Sequence, residues 1–295
     1  MRHKIFQRTD PPRSQASLAV NRHASWHTWS SDFRSLFGAW RRQVRRLKGP
    51  RSVRLLGGEE YDNTFSLAPS SLDDKALARE LTAFAESLYR LRVGRRMMLL
   101  DRMTGPFLDG HELHCLLSFF RAALVSLTGD PLAAMHQPLQ REYKRPKAFP
   151  LHADLYVPRV LFNVFDEVPK DASGASIFLP VPLFLRLLPG VESLGAGARA
   201  RIARIITGTH REDKYEEFYR LLHGGENGWS DELGEKMTAR QLKIKLRSGQ
   251  GYVVDDRAWL HGREAPSCGV TRRRLHRLIF NTKTILARRT AHAPL

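Results

Sequence analysis

Cysteine is nearly absent: Cys115 and Cys268 are the only two in 295 residues. That excludes a disulfide framework and a thiolate zinc site, and it predicts a reducing compartment such as the cytoplasm. Long apolar runs are missing as well. The longest mainly apolar stretches, such as Leu116–Phe120 and Val160–Phe165, fall far short of the ~18 residues needed to span a bilayer. No apolar run of signal-peptide type stands near residue 1, so the expectation is a soluble protein that is not exported. A hydrophobic fraction of 42% is nonetheless ample for a core and excludes wholesale disorder.

Acidic residues are scarce at both ends. Residues 1–55 hold 13 Lys+Arg against 2 Asp+Glu, residues 272–295 hold 7 and none, and the stretch between carries 28 of each sign. The net charge of +18 therefore sits at the termini. A nucleic-acid-binding domain carries its basic excess on the folded surface that grips phosphate, so a nucleic-acid partner is disfavoured. A module that binds nucleic acid or an anionic surface through the basic termini stays as the alternative from a different function class.

The first thirty residues show no period and read as a mobile tail, with a composition that organelle transit peptides share. Between Phe33 and Leu47 the residues Phe33, Leu36, Phe37, Trp40, Val44 and Leu47 fall on one helical face. A basic helix packed on its own domain and a membrane-surface helix both fit that pattern. Helical spacing predicts further helices over 72–92 and 109–127. From Phe149 the texture changes to short apolar runs between turn residues, predicting strands at 151–157, 160–165, 175–180, 242–247, 251–255 and 277–284. Helices first and strands later indicate an α+β chain with a β-rich core. The excursion 192–240, helical around 198–206 and 213–222, is expected as a lid or substrate-contacting insertion. The economical organisation is a basic extension, 1–55, before a single domain, 56–295.

The chemistry begins at Phe149-Pro150-Leu151-His152-Ala153-Asp154. On a strand, residues i and i+2 share a face, so His152 and Asp154 would present an imidazole and a carboxylate side by side, one edge of a metal site. A lone His-x-Asp also arises as a surface ion pair. His261, after the Gly249-Gln250-Gly251 turn and the acidic Asp255-Asp256, supplies a third ligand at the start of a strand. Two histidines and a carboxylate form the facial triad that leaves positions open on Fe(II). Downstream, Arg273 and Arg277 are four apart on one strand face. An arginine inside a barrel is costly unless it meets an anion.

The segment Asp255-Asp256-Arg257-Ala258-Trp259-Leu260-His261-Gly262-Arg263 resembles the acidic-x-Arg and Leu-His-Gly-Arg element of the Fe(II)/2-oxoglutarate-dependent dioxygenases, in particular the taurine dioxygenase, clavaminate synthase and γ-butyrobetaine hydroxylase group. Arg272-Arg273-Arg274-Leu275-His276-Arg277 resembles that group's terminal arginine-rich element, and the resemblance covers residues 149–284. It implies a double-stranded β-helix, the cupin-like jelly roll, with N-terminal helices buttressing one sheet and 192–240 as a lid. It also implies Fe(II) held by His152, Asp154 and His261, 2-oxoglutarate as co-substrate and O2 as oxidant. Arg273 would pair with the C5 carboxylate of 2-oxoglutarate, helped by Ser176, while Arg277 lies near the C1 carboxylate or the substrate; the two arginine roles are exchangeable. The implied reaction is oxidative decarboxylation to succinate and CO2 coupled to attack on an unactivated C–H bond. Halogenating members carry a small residue where Asp154 stands, so hydroxylation is implied, although desaturation or ring formation uses the same ligands.

The basic stretch 136–148 precedes the metal strand and reads either as a pocket wall for an anionic, carboxylate-bearing or amino-acid-like small molecule or as a solvated loop. Tyr156 and Trp259 are candidates for pocket wall or core, and His210 and His223 for substrate contact or plain surface. His111-Glu112-Leu113-His114 has its histidines three apart rather than four, so it reads as a partly exposed helix start and not as a zinc motif. A metal-dependent isomerase of cupin type remains a further alternative, but it leaves Arg273 and Arg277 without a task. The oligomeric state is not legible.

Overall fold

The structure is a computed structural model that describes residues 6–8, 26–29, 40–42, 72–90, 97–101, 110–128, 134–143, 148–155, 159–168, 174–208, 214–224, 230–265 and 271–281. Two sheets organise it. The larger contains, in spatial order, β1 (Phe6–Arg8), β2 (Trp26–Trp29), β3 (Met97–Asp101), β9 (Gly251–Asp255), β6 (Arg159–Glu167), β11 (Thr271–Asn281) and β4 (Ala134–Tyr143). The smaller contains β5 (Phe149–His152), β10 (Trp259–Arg263), β7 (Ser176–Pro180) and β8 (Leu242–Ile244). Every pairing is antiparallel except that of β2 with β3. From β4 onward the chain passes back and forth between the two sheets, an arrangement that agrees with the cupin-like expectation.

Strand alternation decides what lies between the sheets. On β6, Leu161 and Phe165 face inward and meet Tyr252 and Val254 of β9, Phe178 of β7, Trp259 of β10 and Leu242 and Ile244 of β8. Phe162, one residue out of phase, faces away, where its ring meets Phe120 edge-on at 6.5 Å. Phe120 belongs to α2 (Gly110–Thr128), which packs with α1 (Lys75–Arg90) on the outer side of the larger sheet. The Asp74 carboxylate caps α1 by accepting the backbone N–H groups of Ala76 and Leu77, each at 3.0 Å.

The outer face of the smaller sheet is covered by four helices: α3 (Val181–Leu187), α4 (Ala196–Thr207), α5 (Tyr215–His223) and α6 (Ser230–Thr238). Their buried residues, among them Phe184, Ile202, Phe218, Leu222 and Leu233, pack against Leu151, Ala153, Leu155, Leu179 and Leu260. The helices expected within 192–240 are therefore present, and their described residues stand behind β5. Arg201 and Glu217 tie α4 to α5 through a two-pronged contact, with Nη2 to Oε2 at 2.7 Å. None of the described helices is long and apolar enough to cross a membrane.

Several expectations change. Phe6–Arg8 and Trp26–Trp29 extend the edge of the larger sheet although the first thirty residues show no period; strands of three and four residues are too short to set one. Residues 136–143, within the stretch read as either a pocket wall or a solvated loop, form most of β4, whose full length pairs with β11. Glu112 is buried rather than exposed and accepts a 2.7 Å hydrogen bond from Arg41 Nε. Trp259 is a core residue, 3% exposed. Tyr156, His210, Cys268 and, apart from Trp40 with its two following residues, the 33–47 helix lie outside the described residues.

Candidate metal centre

His152 is the last residue of β5 and His261 the middle residue of β10, and the two stand directly opposite each other in the antiparallel register. Their rings lie 4.5 Å apart between centroids. This approach depends on glycine at position 262: a Cβ there would meet Phe149 O at 2.5 Å and Pro150 O at 2.8 Å. The register shifts between His261 and Arg263, so the strands pinch together beside the histidines.

Asp154 lies beyond the end of β5 rather than on it. Leu155 adopts a left-handed φ of 53°, which turns the chain out of the strand. The turn is held by Asp256, 0% exposed, whose Oδ1 accepts the N–H of Asp154 at 2.8 Å and whose Oδ2 accepts that of Leu155 at 3.1 Å. The same Oδ1 faces His261 Nε2 at 3.2 Å. One buried carboxylate thus fixes both a ligand-bearing turn and a ligand ring. Asp256 itself is oriented by the β9–β10 turn, in which Asp255 accepts the N–H of Arg257 at 3.0 Å.

The resulting cluster has ligand atoms of His152, Asp154 and His261 all within 4.8 Å of one another. His152 Nε2 and Asp154 Oδ1 are 3.4 Å apart; cis ligands with bonds of ~2.1 Å to one divalent ion sit roughly 3 Å apart, so small rotations suffice to seat an ion. His152 Nδ1 lies 2.9 Å from Pro150 O and donates to it. That bond assigns the proton to Nδ1 and leaves Nε2 with its lone pair toward Asp154. Burial and then the neighbouring His261 hold His152 below the ordinary imidazole value. Burial pushes the Asp154 carboxyl upward, but the adjoining His152 and His261 rings and the charge of Arg277 outweigh it, leaving the group below the usual carboxylate range. Neutral imidazole and ionised carboxylate are the protonation states a metal requires. The Asp154 side chain is 17% exposed against 2% for His152 and 4% for His261, so the cluster opens on the Asp154 side.

Arg277 of β11 faces this centre. Its Nε donates to Asn163 Oδ1 at 2.9 Å, and its charge reaches Asp154. Asn163, directly across from Arg277 in the register, is fully buried between the inward-facing Leu161 and Phe165. Its Nδ2 has no hydrogen-bond partner among the described residues. Ser176 is buried on β7, two residues from Phe178, which stands opposite His261. Arg273 lies on β11 opposite Arg141, with its side chain outside the described residues. The structure therefore brings together His152, Asp154, His261 and Arg277. His223 of α5 donates from Nε2 to Leu151 O at 2.8 Å and supports β5 from behind.

Sequence reading assigned no task to Asp256 and passed over Asn163. The latter had a signal: it is the one polar residue in Val160-Leu161-Phe162-Asn163-Val164-Phe165. The former was inside a quoted motif, but nothing local shows that its partners lie about a hundred residues upstream.

No family model matches the chain, and no curated protein matches it. Among solved structures it is similar to an asparagine oxygenase in complex with Fe(II), 2S,3S-3-hydroxyasparagine and succinate, at 13% identity over 87% of this chain and 93% of that one, with TM-score 0.46. It is also similar to the non-heme iron oxygenase OrfP in complex with Fe, succinate and (3R,4R)-dihydroxy-L-Arg, at 14% identity over 91% and 97%, TM-score 0.44. A third is PvcB from Pseudomonas aeruginosa, at 16% identity over 65% and 79%, TM-score 0.37. Likenesses this distant transfer no residue role, and the cluster itself has to carry the functional reading.

Proposed function

We propose that the protein is an Fe(II)- and 2-oxoglutarate-dependent oxygenase, by default a hydroxylase, acting on a small polar metabolite such as an amino acid or carboxylate. The observation that carries this reading is the His152–Asp154–His261 cluster, three ligands from one side of an ion with Arg277 beside them. Two imidazoles and one carboxylate suit Fe(II), and a facial set keeps positions free for a chelating co-substrate and O2. The donor chemistry fits the group on a second count, because Arg277, held by Asn163 Oδ1, offers an anion the donors it needs.

Bound Fe(II) would supply O2 activation coupled to decarboxylation of 2-oxoglutarate to succinate and CO2, and so hydroxylation of an unactivated C–H bond. The chain's own residues do the rest. His152 and His261 offer ring nitrogens fixed by Pro150 O and Asp256. Asp154 supplies the negative ligand at the open side, where substrate would enter. Arg277 holds a carboxylate, Arg273 and Ser176 stand as further carboxylate contacts, and the apolar packing of Phe178 and Trp259 excludes water.

The winding between two sheets is read as a double-stranded β-helix, and 56–295 as one oxygenase domain following the basic segment 1–55. For 192–240 we read a buttress that sets β5, with a lid role for the segment as part of the same proposal. A cupin-type isomerase would leave the charge of Arg277 beside Asp154 without a task.

The test is an anaerobic visible spectrum of metal-stripped protein with Fe(II), before and after 2-oxoglutarate, for the unaltered chain and for Asp154→Ala. A weak charge-transfer band that needs both additions and disappears in the variant is the expected result. A folded protein that gives no band overturns the reading.

A further inference from the structure

Among the described residues Phe149 is the only large apolar side chain that stands exposed, at 42%. Lone apolar residues at a surface are ordinary and by themselves call for no account. Phe149 differs in its surroundings. It opens β5, the edge strand of the smaller sheet, and its main chain is clamped against β10, where a Cβ at Gly262 would meet Phe149 O at 2.5 Å. The backbone that carries the ring is therefore fixed in place. One side of the ring packs edge-on against His152, with centroids 4.3 Å apart and planes at 74°. His152 in turn meets His261 at 4.5 Å. Three rings thus run from solvent to the ligand pair, and exposure falls from 42% at Phe149 to 1% at His152 and 3% at His261.

Asp154 also stands beside His152, with Oδ1 3.4 Å from Nε2, and it is the most exposed of the three ligands. The groups that flank His152 and reach solvent are therefore a carboxylate and a benzyl ring. An ion seated on the cluster would engage the carboxylate and leave the ring uncovered. A hydrocarbon group laid on that ring removes apolar surface from water on both partners, which a wholly polar group cannot do.

We propose that Phe149 is a specificity-determining residue of the substrate site, its exposed face receiving an aliphatic or aromatic portion of the substrate beside the metal ligands. The proposal rests on the oxygenase reading and narrows it: the substrate is an amino acid or carboxylate with a hydrocarbon side chain, not one polar throughout. A role limited to shielding His152 makes a different demand. A shield acts on metal affinity whatever the ligand, whereas a specificity contact acts on apolar ligands alone. Phe149→Gln separates the two, because glutamine keeps much of the reach over His152 and loses the apolar face.

The experiment is calorimetric titration of the full chain loaded with Mn(II) and 2-oxoglutarate, using L-leucine, L-phenylalanine and phenylacetate as apolar probes and L-asparagine as the polar one. In the unaltered protein at least one apolar probe should bind more tightly than L-asparagine. Its proton resonances should broaden with Mn(II) but not with Mg(II), which places it beside the ion. In Phe149→Gln the apolar probe should bind about 3- to 10-fold more weakly, the scale of one aromatic contact, while L-asparagine changes by less than about twofold. Affinity for Mn(II) alone should stay within about threefold. Failure of every apolar probe to bind, binding without broadening, or equal changes for apolar and polar probes overturns the proposal. So does a variant that loses Mn(II) affinity with no selective loss of apolar probes, the mark of a shield. Should Phe149→Gln fail to fold, Phe149→Ala is held to the same criterion. An unaltered protein that binds Mn(II) but no 2-oxoglutarate overturns the oxygenase reading, and the substrate contact with it.

Discussion

Asp256 and Asp154 are 102 residues apart in the chain, yet the carboxylate of the first accepts the backbone N–H of the second at 2.8 Å. Because Asp256 also holds the Leu155 N–H and faces His261 Nε2, it couples the two segments that provide the ligands. Replacing it by alanine leaves two backbone donors without their acceptor and frees the His261 ring. Asp256→Ala should weaken Mn(II) or Fe(II) binding 10- to 100-fold, roughly the effect of losing a group that orients metal ligands. Metal affinity by calorimetry, with circular dichroism to confirm folding, checks this; an unchanged affinity would remove Asp256 from the positioning role.

Gly262 makes a comparable prediction by steric means. An added methyl group would sit 2.5 Å from Phe149 O, a backbone atom that cannot step aside without moving β5. Gly262→Ala should therefore spread His152 from His261 and cost on the order of 1–3 kcal/mol of stability, as overpacking does. Metal affinity should drop with it, whereas Gly197→Ala, on a helix where a Cβ meets nothing within 4 Å, should leave metal affinity unchanged and stability no lower. Paired denaturant melts and metal titrations distinguish the two.

Metal binding to the folded state alone raises stability by mass action, about 2.7 kcal/mol at a ligand concentration 100 times Kd. Thermal melts of the unaltered protein should shift upward with Mn(II) and return to the starting value on chelation. Asp154→Ala should show no such shift, because removal of the carboxylate leaves two histidines. A shift of equal size in that variant would point to metal bound elsewhere.

Glu232 gives the pH dependence. Its carboxylate accepts the N–H and hydroxyl of Ser193, at 2.9 and 2.8 Å, and pairs with Lys236. The hydrogen bonds from Ser193 lower its pKa from 4.5 to about 2. A depressed folded-state value means that the ionised form favours folding, so the contribution is complete above 4.5 and is lost as pH falls from 4.5 towards 2. The melting temperature of Glu232→Gln should lie below that of the unaltered chain at neutral pH, with the gap closing across that window. A gap that stays constant down to pH 2 would contradict the assignment.

The clustering of His152, Asp154 and His261 followed from the close spacing of the first two and from the motif around the third, although Asp154 reaches His152 from a turn beyond β5 and not by strand alternation. The strand was less legible: β5 ends at His152, and the 151–157 expectation failed where Leu155 takes a positive φ. That turn is imposed by Asp256, a tertiary partner no local pattern announces. The helices α1 and α2 followed from apolar spacing, whereas α3 was hidden because Val181-Pro182-Leu183-Phe184-Leu185 continues the apolar run of β7 and gives no period to separate strand from helix. β4 was obscured by its charge: an edge strand tolerates Gln137, Arg141 and Glu142, which read as loop residues when burial is the guide. Arg277 was found, but its pairing with Asn163 depends on β11 lying beside β6, a contact between segments 114 residues apart.

The pairing of β5 with β10 also fixes an order of events during synthesis. His152 and Asp154 leave the ribosome long before His261 exists, and the partner strand that brings the third ligand, together with the Asp256 that locks the turn, arrives more than a hundred residues later. A nascent chain thus holds only two donors on an unlocked turn, a weak chelate. On the proposed reading, firm capture of an ion would have to wait until β10 slots between β5 and β7, so that metal occupancy would report closure of the smaller sheet.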